Sequence, residues 1–241
     1  MSDCVYYSID RGTRVPENIV TETVSFRANG DTADGYLAYP SGSDGSPIVI
    51  VIQEWWGVDG HIRDVTERFA RLGFAAIAPD LYHGQITSEP DEAKKLAMSL
   101  EYERAAKEID GAALWMLDQP YTSGPKFGCV GYCMGGGLAL TTAIRNHNVG
   151  GAIVYYGGLP NPTESLEAIQ APVLAFYGDG EAERANQLKQ ILDDNGKPNE
   201  VHIYEGAAHG FFNDTNQNGY NLTAAYDTWP RAIQFLRDNL I

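Results

Sequence analysis

Between residues 32 and 240 short apolar runs alternate with stretches of helical spacing. Ile48 to Ile52 is an unbroken β-branched run, as expected of a parallel strand covered on both faces. Val65, Phe69 and Leu72 follow at helical spacing with Gly73 as the stop, and Phe74 to Ala78 is the next short apolar strand. Ala93 to Leu117 reads as helix with a break near Arg104. The alternation then repeats: strand 127–130, helix 136–144, strands 152–156 and 173–177, helix 182–192, strand 201–204 and helix 224–240. Thr32 to Tyr39 alternates loosely as an edge strand and leads into the turn cluster Ser41 to Pro47. The polar residues before it read as an N-terminal extension over 1–30, packed on a single α/β domain that spans 1–241. Such an order predicts a mainly parallel central sheet with helices on both faces. Ligands of these sheets bind beyond the carboxyl ends of the strands, where the chemistry-bearing residues of this chain also fall.

The most informative strand end is Gly131-Tyr132-Cys133-Met134-Gly135, a G-x-C-x-G between the apolar run 126–130 and the small-residue helical stretch 136–144. This arrangement resembles the nucleophile elbow of the α/β-hydrolase fold, with cysteine as the nucleophile. A Cβ at either flanking glycine would collide with the adjoining strand and helix. The helix that follows directs N–H groups at the sulfur and favours thiolate. Cys129, inside the strand, reads as a core residue, and Cys4 near the N-terminus as incidental.

A cysteine nucleophile needs a base, and His209 fits. It lies in the small-residue loop Glu205 to Phe212, after the last strand and before the last helix. His61 opens a helix, His147 lies in a polar turn and His202 is inside a strand, whereas His83 beside Tyr82 is a candidate pocket residue. The acid that would orient His209 falls in the segment 173–181, which ends a strand with Asp179 and Glu181, and both remain open. Gln53-Glu54-Trp55-Trp56-Gly57 follows the buried strand 48–52 on the same sheet edge. The N–H groups of Trp55 and Met134 are the expected oxyanion donors.

Charge narrows the partners. The 241 residues carry 17 Lys plus Arg against 32 Asp plus Glu, a net charge of −15. Such a surface repels phosphate backbones and anionic headgroups, so neither nucleic-acid nor membrane binding is expected. Three cysteines form no disulfide framework, and Met1 to Tyr7 lacks the features of a signal peptide, which points to a cytoplasmic location.

Taken together, Gln53 to Gly57, Arg63-Asp64-Val65, Ala78 to Tyr82, Gly131 to Gly136, Tyr155-Tyr156-Gly157 and His209-Gly210-Phe211 resemble the blocks of the dienelactone hydrolases, or carboxymethylenebutenolidases. They occur in order over roughly 35–240 and are specific as a set. The resemblance implies a Cys133, acid, His209 triad. The family's Gly-x-x-Asp register puts Glu181 at the acid position, but the loop is shortened and Asp179 stays the alternative. The resemblance also implies that Glu54 holds the resting cysteine as a neutral thiol, sparing it from oxidation. Family members acting on dienelactone carry two arginines that clamp the substrate carboxylate, and here Gly84 and Asn213 stand in those places. The expected pocket is therefore aromatic, with Trp55, Trp56, Tyr82, Phe211 and Phe212, and suits a neutral small-molecule ester or lactone. No metal or organic cofactor is expected, and the protein is expected as a monomer or small homo-oligomer. Acyl transfer to an acceptor other than water is an alternative outcome of the same chemistry. A different class is a non-catalytic binding or redox-sensing protein that keeps the pocket and uses Cys133 as a reversible thiol.

Overall fold

A computed structural model describes residues 18–241, so Cys4 and the greater part of the expected 1–30 extension lie outside the described residues. Eight strands form one sheet in the order β1-β2-β4-β3-β5-β6-β7-β8. The strands are β1 (Ile19–Ala28), β2 (Asp31–Pro40), β3 (Ser46–Ile52), β4 (Ala75–Pro79), β5 (Thr122–Tyr132), β6 (Val149–Tyr155), β7 (Val173–Gly178) and β8 (Asn199–Tyr204). β1 pairs with β2 and β2 with β4 antiparallel, and every other pair is parallel. The helices are α1 (Gly60–Arg71), α2 (Pro90–Ser99), α3 (Tyr102–Leu117), α4 (Met134–Arg145), α5 (Ala182–Asp194) and α6 (Leu222–Leu240). No helix among the described residues is long and apolar enough to cross a membrane.

The period-two pleat divides the core between the two faces of the sheet. Ile48, Ile50 and Ile52 point to one face, where they meet Ile109 and Met116 of α3, Leu138 of α4 and Leu188 of α5. Val49 and Val51 point to the other, against Ile62, Val65 and Phe69 of α1 and Ile233 and Leu236 of α6. Every residue from Ile48 to Ile52 is therefore fully buried, which explains why β3 has no polar position.

Two elements differ from expectation. Ile19–Ala28, read as part of a polar extension, is the edge strand of the sheet, and the segment expected at the edge is its inner neighbour β2. The overlooked signal is Asn29-Gly30. Both residues have positive φ, 53° and 78°, as a two-residue hairpin turn with the strands' own twist requires. The second difference is the helix break, which falls at Leu100 and Glu101 rather than near Arg104, because both residues are extended.

The strand order also positions the site. From β3 the chain passes to β4 on one side and then crosses to β5 on the other. The carboxyl ends of β3 and β5 thus flank the point where the winding reverses, a crevice that favours ligand binding.

Candidate active site

Cys133 closes the turn from β5 to α4 with φ 55° and ψ −116°, a backbone conformation that a residue with a side chain rarely adopts. Surrounding backbone enforces it. A Cβ on Gly131 would lie 1.9 Å from the Gly135 carbonyl oxygen, and one on Gly135 would lie 2.3 Å from the Ile52 carbonyl oxygen. The Cys133 N–H donates to the Tyr155 carbonyl (3.0 Å), fixing the turn to β6. The side chain, part-exposed at the amino end of α4, is left with its sulfur toward the crevice.

His209 reaches that sulfur from the loop after β8. Its Nε2 lies 3.1 Å from Cys133 Sγ and its Nδ1 lies 2.9 Å from Glu181 Oε1. The ring also stands edge-on to Tyr156, with centroids 5.0 Å apart. Glu181 is held in turn by the Gly178 N–H (3.3 Å) and by Arg184 Nη1 (3.1 Å), and its side chain is 9% exposed. The hydrogen bonds to Cys133 and then to Glu181 outweigh partial burial and push the His209 imidazole up to about 10. Asp179 accepts the Gly206 N–H and so tethers the loop that carries His209. Of the two open carboxylates, Glu181 is the one at the imidazole.

Glu54 follows β3 and is 3% exposed. It accepts from Tyr156 Oη (3.2 Å) and Asn213 Nδ2 (2.7 Å). Burial raises its proton affinity, against His61's charge and these two donors. Burial likewise keeps the Tyr156 phenol protonated and able to donate. The hold on Cys133 expected of Glu54 is absent from the hydrogen bonds of the described residues, because the sulfur faces His209 and both Glu54 oxygens have other donors. Trp55 and Trp56 follow, packed edge to face with centroids 4.9 Å apart. Neither the Trp55 nor the Met134 N–H donates a hydrogen bond among the described residues, so both donors remain open. Tyr82 donates to Met134 Sδ (3.4 Å) across the crevice.

Four expected pocket residues occupy other surroundings. Phe211 and Phe212 are 0% and 3% exposed, and they pack on Tyr156 and on Tyr155 and Trp229 respectively. Apolar burial draws both rings under the loop and away from the crevice. His83, at φ 52°, points its Nε2 toward Glu108 of α3 (3.4 Å), a carboxylate it shares with Arg104. Asn213 is buried against Glu54, and its own carbonyl accepts from Thr215, so its amide serves the site's interior rather than its wall. Tyr156 was not singled out from the sequence beyond the motif Tyr155-Tyr156-Gly157, although its φ of 43° and its bond to Glu54 tie it to the site. Among the described residues no three His, Cys, Asp or Glu side chains are grouped as metal ligands.

A mostly parallel sheet with helices on both faces and a cysteine in a strained strand-to-helix turn defines an α/β hydrolase. Among solved structures, a dienelactone hydrolase from Klebsiella pneumoniae, described as putative, superposes with a TM-score of 0.84 at 28% identity, covering 91% of this chain and 99% of that one. A putative carboxymethylenebutenolidase of Synechocystis is 33% identical over 226 residues, covering 86% of this chain and 92% of the relative. The carboxymethylenebutenolidase of Pseudomonas putida is 29% identical over 231 residues, with coverage of 90% and 97%. The dienelactone hydrolase family matches residues 33–240, and the chain belongs to that family as an ester or lactone hydrolase.

Proposed function

We propose that the protein hydrolyses small neutral esters or lactones through a Cys133 thiolate, with His209 as the proton carrier and Glu181 as its orienting acid. The observation that carries this reading is the continuous line Cys133 Sγ, His209, Glu181, with contacts of 3.1 and 2.9 Å. Sγ attacks the carbonyl carbon, and the oxyanion is received by the Trp55 and Met134 N–H groups. The tetrahedral adduct collapses with cleavage of the C–O bond, and His209 gives its proton to the departing alkoxide, which stays tethered when the substrate is a lactone. Water then attacks the thioester. His209 takes its proton, and the carboxylic acid leaves as the thiolate is regenerated.

The neutral preference is supported by the places expected to carry cations. Gly84 has no side chain, and the Asn213 amide is neutral and committed to Glu54. Tyr82, Trp55 and Trp56 supply the aromatic surface, and the indoles are only part-buried. Steady-state hydrolysis of neutral p-nitrophenyl acyl esters beside dienelactone, on wild type and Cys133→Ala, tests the reading. Wild type is expected to prefer the neutral esters, and Cys133→Ala to lose at least about 10⁴-fold in kcat/KM. Retained activity in the variant refutes the nucleophile, and dienelactone as the better substrate refutes the neutral preference.

A further inference from the structure

The loop that carries the Trp55 N–H is braced by a side chain that takes no part in the proposed chemistry. Gln53 follows the apolar run of β3 and is 0% exposed. A buried amide costs stability unless its polar ends are bonded, and here both are. Its Oε1 accepts the Leu81 N–H (3.1 Å), and its Nε2 donates to the Glu54 carbonyl (3.4 Å). The Leu81 N–H can only donate, so it fixes which end of the amide is oxygen and turns the amino end toward Glu54.

The Glu54 carbonyl and the Trp55 N–H belong to one peptide unit. That unit is planar and trans, so its N–H points opposite to its C=O, and whatever holds the carbonyl aims the N–H. No backbone N–H among the described residues reaches the Glu54 carbonyl, which leaves the Gln53 amide as its donor. The far end of the brace is a turn closed on the Asp80 carboxylate, which accepts the N–H groups of Tyr82 (3.1 Å) and Gly84 (2.6 Å). The Asp80 N–H in turn donates to the Asp34 carbonyl of β2 (2.9 Å). Further along, the Thr87 N–H donates to the Trp56 carbonyl (3.1 Å), and a Cβ on Gly57 would lie 2.5 Å from the Gln85 carbonyl oxygen. The loops after β3 and β4 are joined at each of these contacts, and Gln53 makes the one that bears on the Trp55 peptide. Its backbone also touches the elbow, since a Cβ on Gly135 would lie 2.5 Å from the Gln53 carbonyl oxygen.

We propose that Gln53 is a positioning residue for the oxyanion hole, its amide holding the Glu54–Trp55 peptide against the loop after β4 so that the Trp55 N–H stays directed at the reacting carbonyl. This role rests on the function proposed above in one respect, that the Trp55 N–H is a donor to the oxygen of the carbonyl attacked by Cys133. Such donors contribute most when they are aimed before charge develops, since no reorganisation is then needed during the reaction. An N–H in a loop outside any regular ladder has no such aim of its own. A side chain that only filled space here would be apolar, as its neighbours in β3 are.

Gln53→Met nearly keeps the volume of the side chain and removes both hydrogen bonds. In the full-length protein it is expected to lower kcat for a neutral p-nitrophenyl ester by about 10–100-fold, less than the loss of a whole oxyanion donor, with KM within about threefold of wild type. The direct readout is infrared difference spectroscopy of the acyl-Cys133 formed from p-nitrophenyl pivalate isotope-labelled at the carbonyl, whose hindered thioester is slow to hydrolyse. Weaker hydrogen bonding to the thioester oxygen raises its C=O stretching frequency, so the band of the variant is expected at higher wavenumber than that of wild type. Gln53→Asn keeps an amide but is one methylene shorter than the span it must bridge. It is expected to move the band in the same direction and keeps the test available if Gln53→Met does not fold. A band at the wild-type position in the variants that fold overturns the proposal even where kcat has fallen, because a merely structural role leaves the carbonyl of correctly folded molecules unmoved. A wild type that forms no thioester overturns the Cys133 reaction and the role of Gln53 together, whereas a wild-type thioester with an unmoved variant band overturns the role of Gln53 alone.

Discussion

The turn at Cys133 and the His209 loop meet at one hydrogen bond, Cys133 Sγ to His209 Nε2, but are held in different proportions by backbone and side chains. At the elbow, backbone packs on backbone: Gly131 lies against Gly135, and Gly135 against the carbonyls of Ile52 and Gln53. The His209 loop also has one close backbone approach, Gly178 against Ala207, but adds a set of side-chain anchors that the elbow lacks, through Asp179 to Gly206, Asn221 to Gly206, Asn213 to Glu54 and Asp214 to Arg68. Steric closure admits one residue type and tolerates no adjustment. Side-chain anchors can be removed one at a time, and part of their strength depends on charge. The elbow should therefore fail all at once, and the loop by degrees and with pH.

The largest effect should come from the elbow. Gly135→Ala puts a methyl group 2.3 Å from the Ile52 carbonyl oxygen, and backbone on both sides must move. The expected cost is at least about 3 kcal/mol, a fall in Tm of roughly 6–12 °C by calorimetry. An unchanged Tm would mean that the elbow is not sterically closed.

Next comes the choice between the two carboxylates of the loop after β7. Glu181→Gln keeps the size of the side chain but removes the charge beside His209 Nδ1, and should lower kcat/KM by about 10²–10⁴-fold. Asp179→Asn removes only a tether to the Gly206 N–H and should cost less than about tenfold, because it loosens the loop without touching the imidazole. A reversed order in the two rates would return the acid to Asp179.

The smallest effect is the pH dependence of stability carried by the His209 loop. The imidazole is raised from 6.5 to about 10 in the folded chain, so its contribution is fully present below about pH 6.5 and is lost as pH rises through 10. The ring is 51% exposed, and solvent screening keeps the effect small. Asp214 has the opposite sign: its depressed carboxyl stabilises above its ordinary value of 3.8 and loses that contribution as pH falls below it. Denaturant midpoints should decline toward both ends of the pH scale. His209→Gln should flatten the alkaline side and Asp214→Asn the acid side.

The same contrast separates what was legible in the sequence from what was not. The central strands were readable because burial on both faces leaves a β-branched run such as Ile48–Ile52, and the elbow because glycine spacing records a backbone collision. The first strand was readable too, through Asn29-Gly30, but its alternation of polar and apolar residues resembles a solvated segment until its partner β2 is known. Phe211 and Phe212 show the limit of composition. Two adjacent aromatic residues in the loop after a strand suit a pocket wall as well as a core, and the path of the loop decides between them.

The sequence by itself determined the alternation of strands and helices, the position of the tight strand-to-helix turn at Cys133 and the residue types available to it. Those properties follow from pleat, helical period and steric exclusion, which act over a few neighbouring residues. Only the tertiary structure decided that Glu181 rather than Asp179 meets an imidazole 28 residues further on. It also decided that Glu54 bonds Asn213 across 159 residues, and that His61 is sealed beside Asp214. Hydrogen bonds and charges of this kind depend on ångström-scale placement of loops distant in sequence, which no local pattern of residues records.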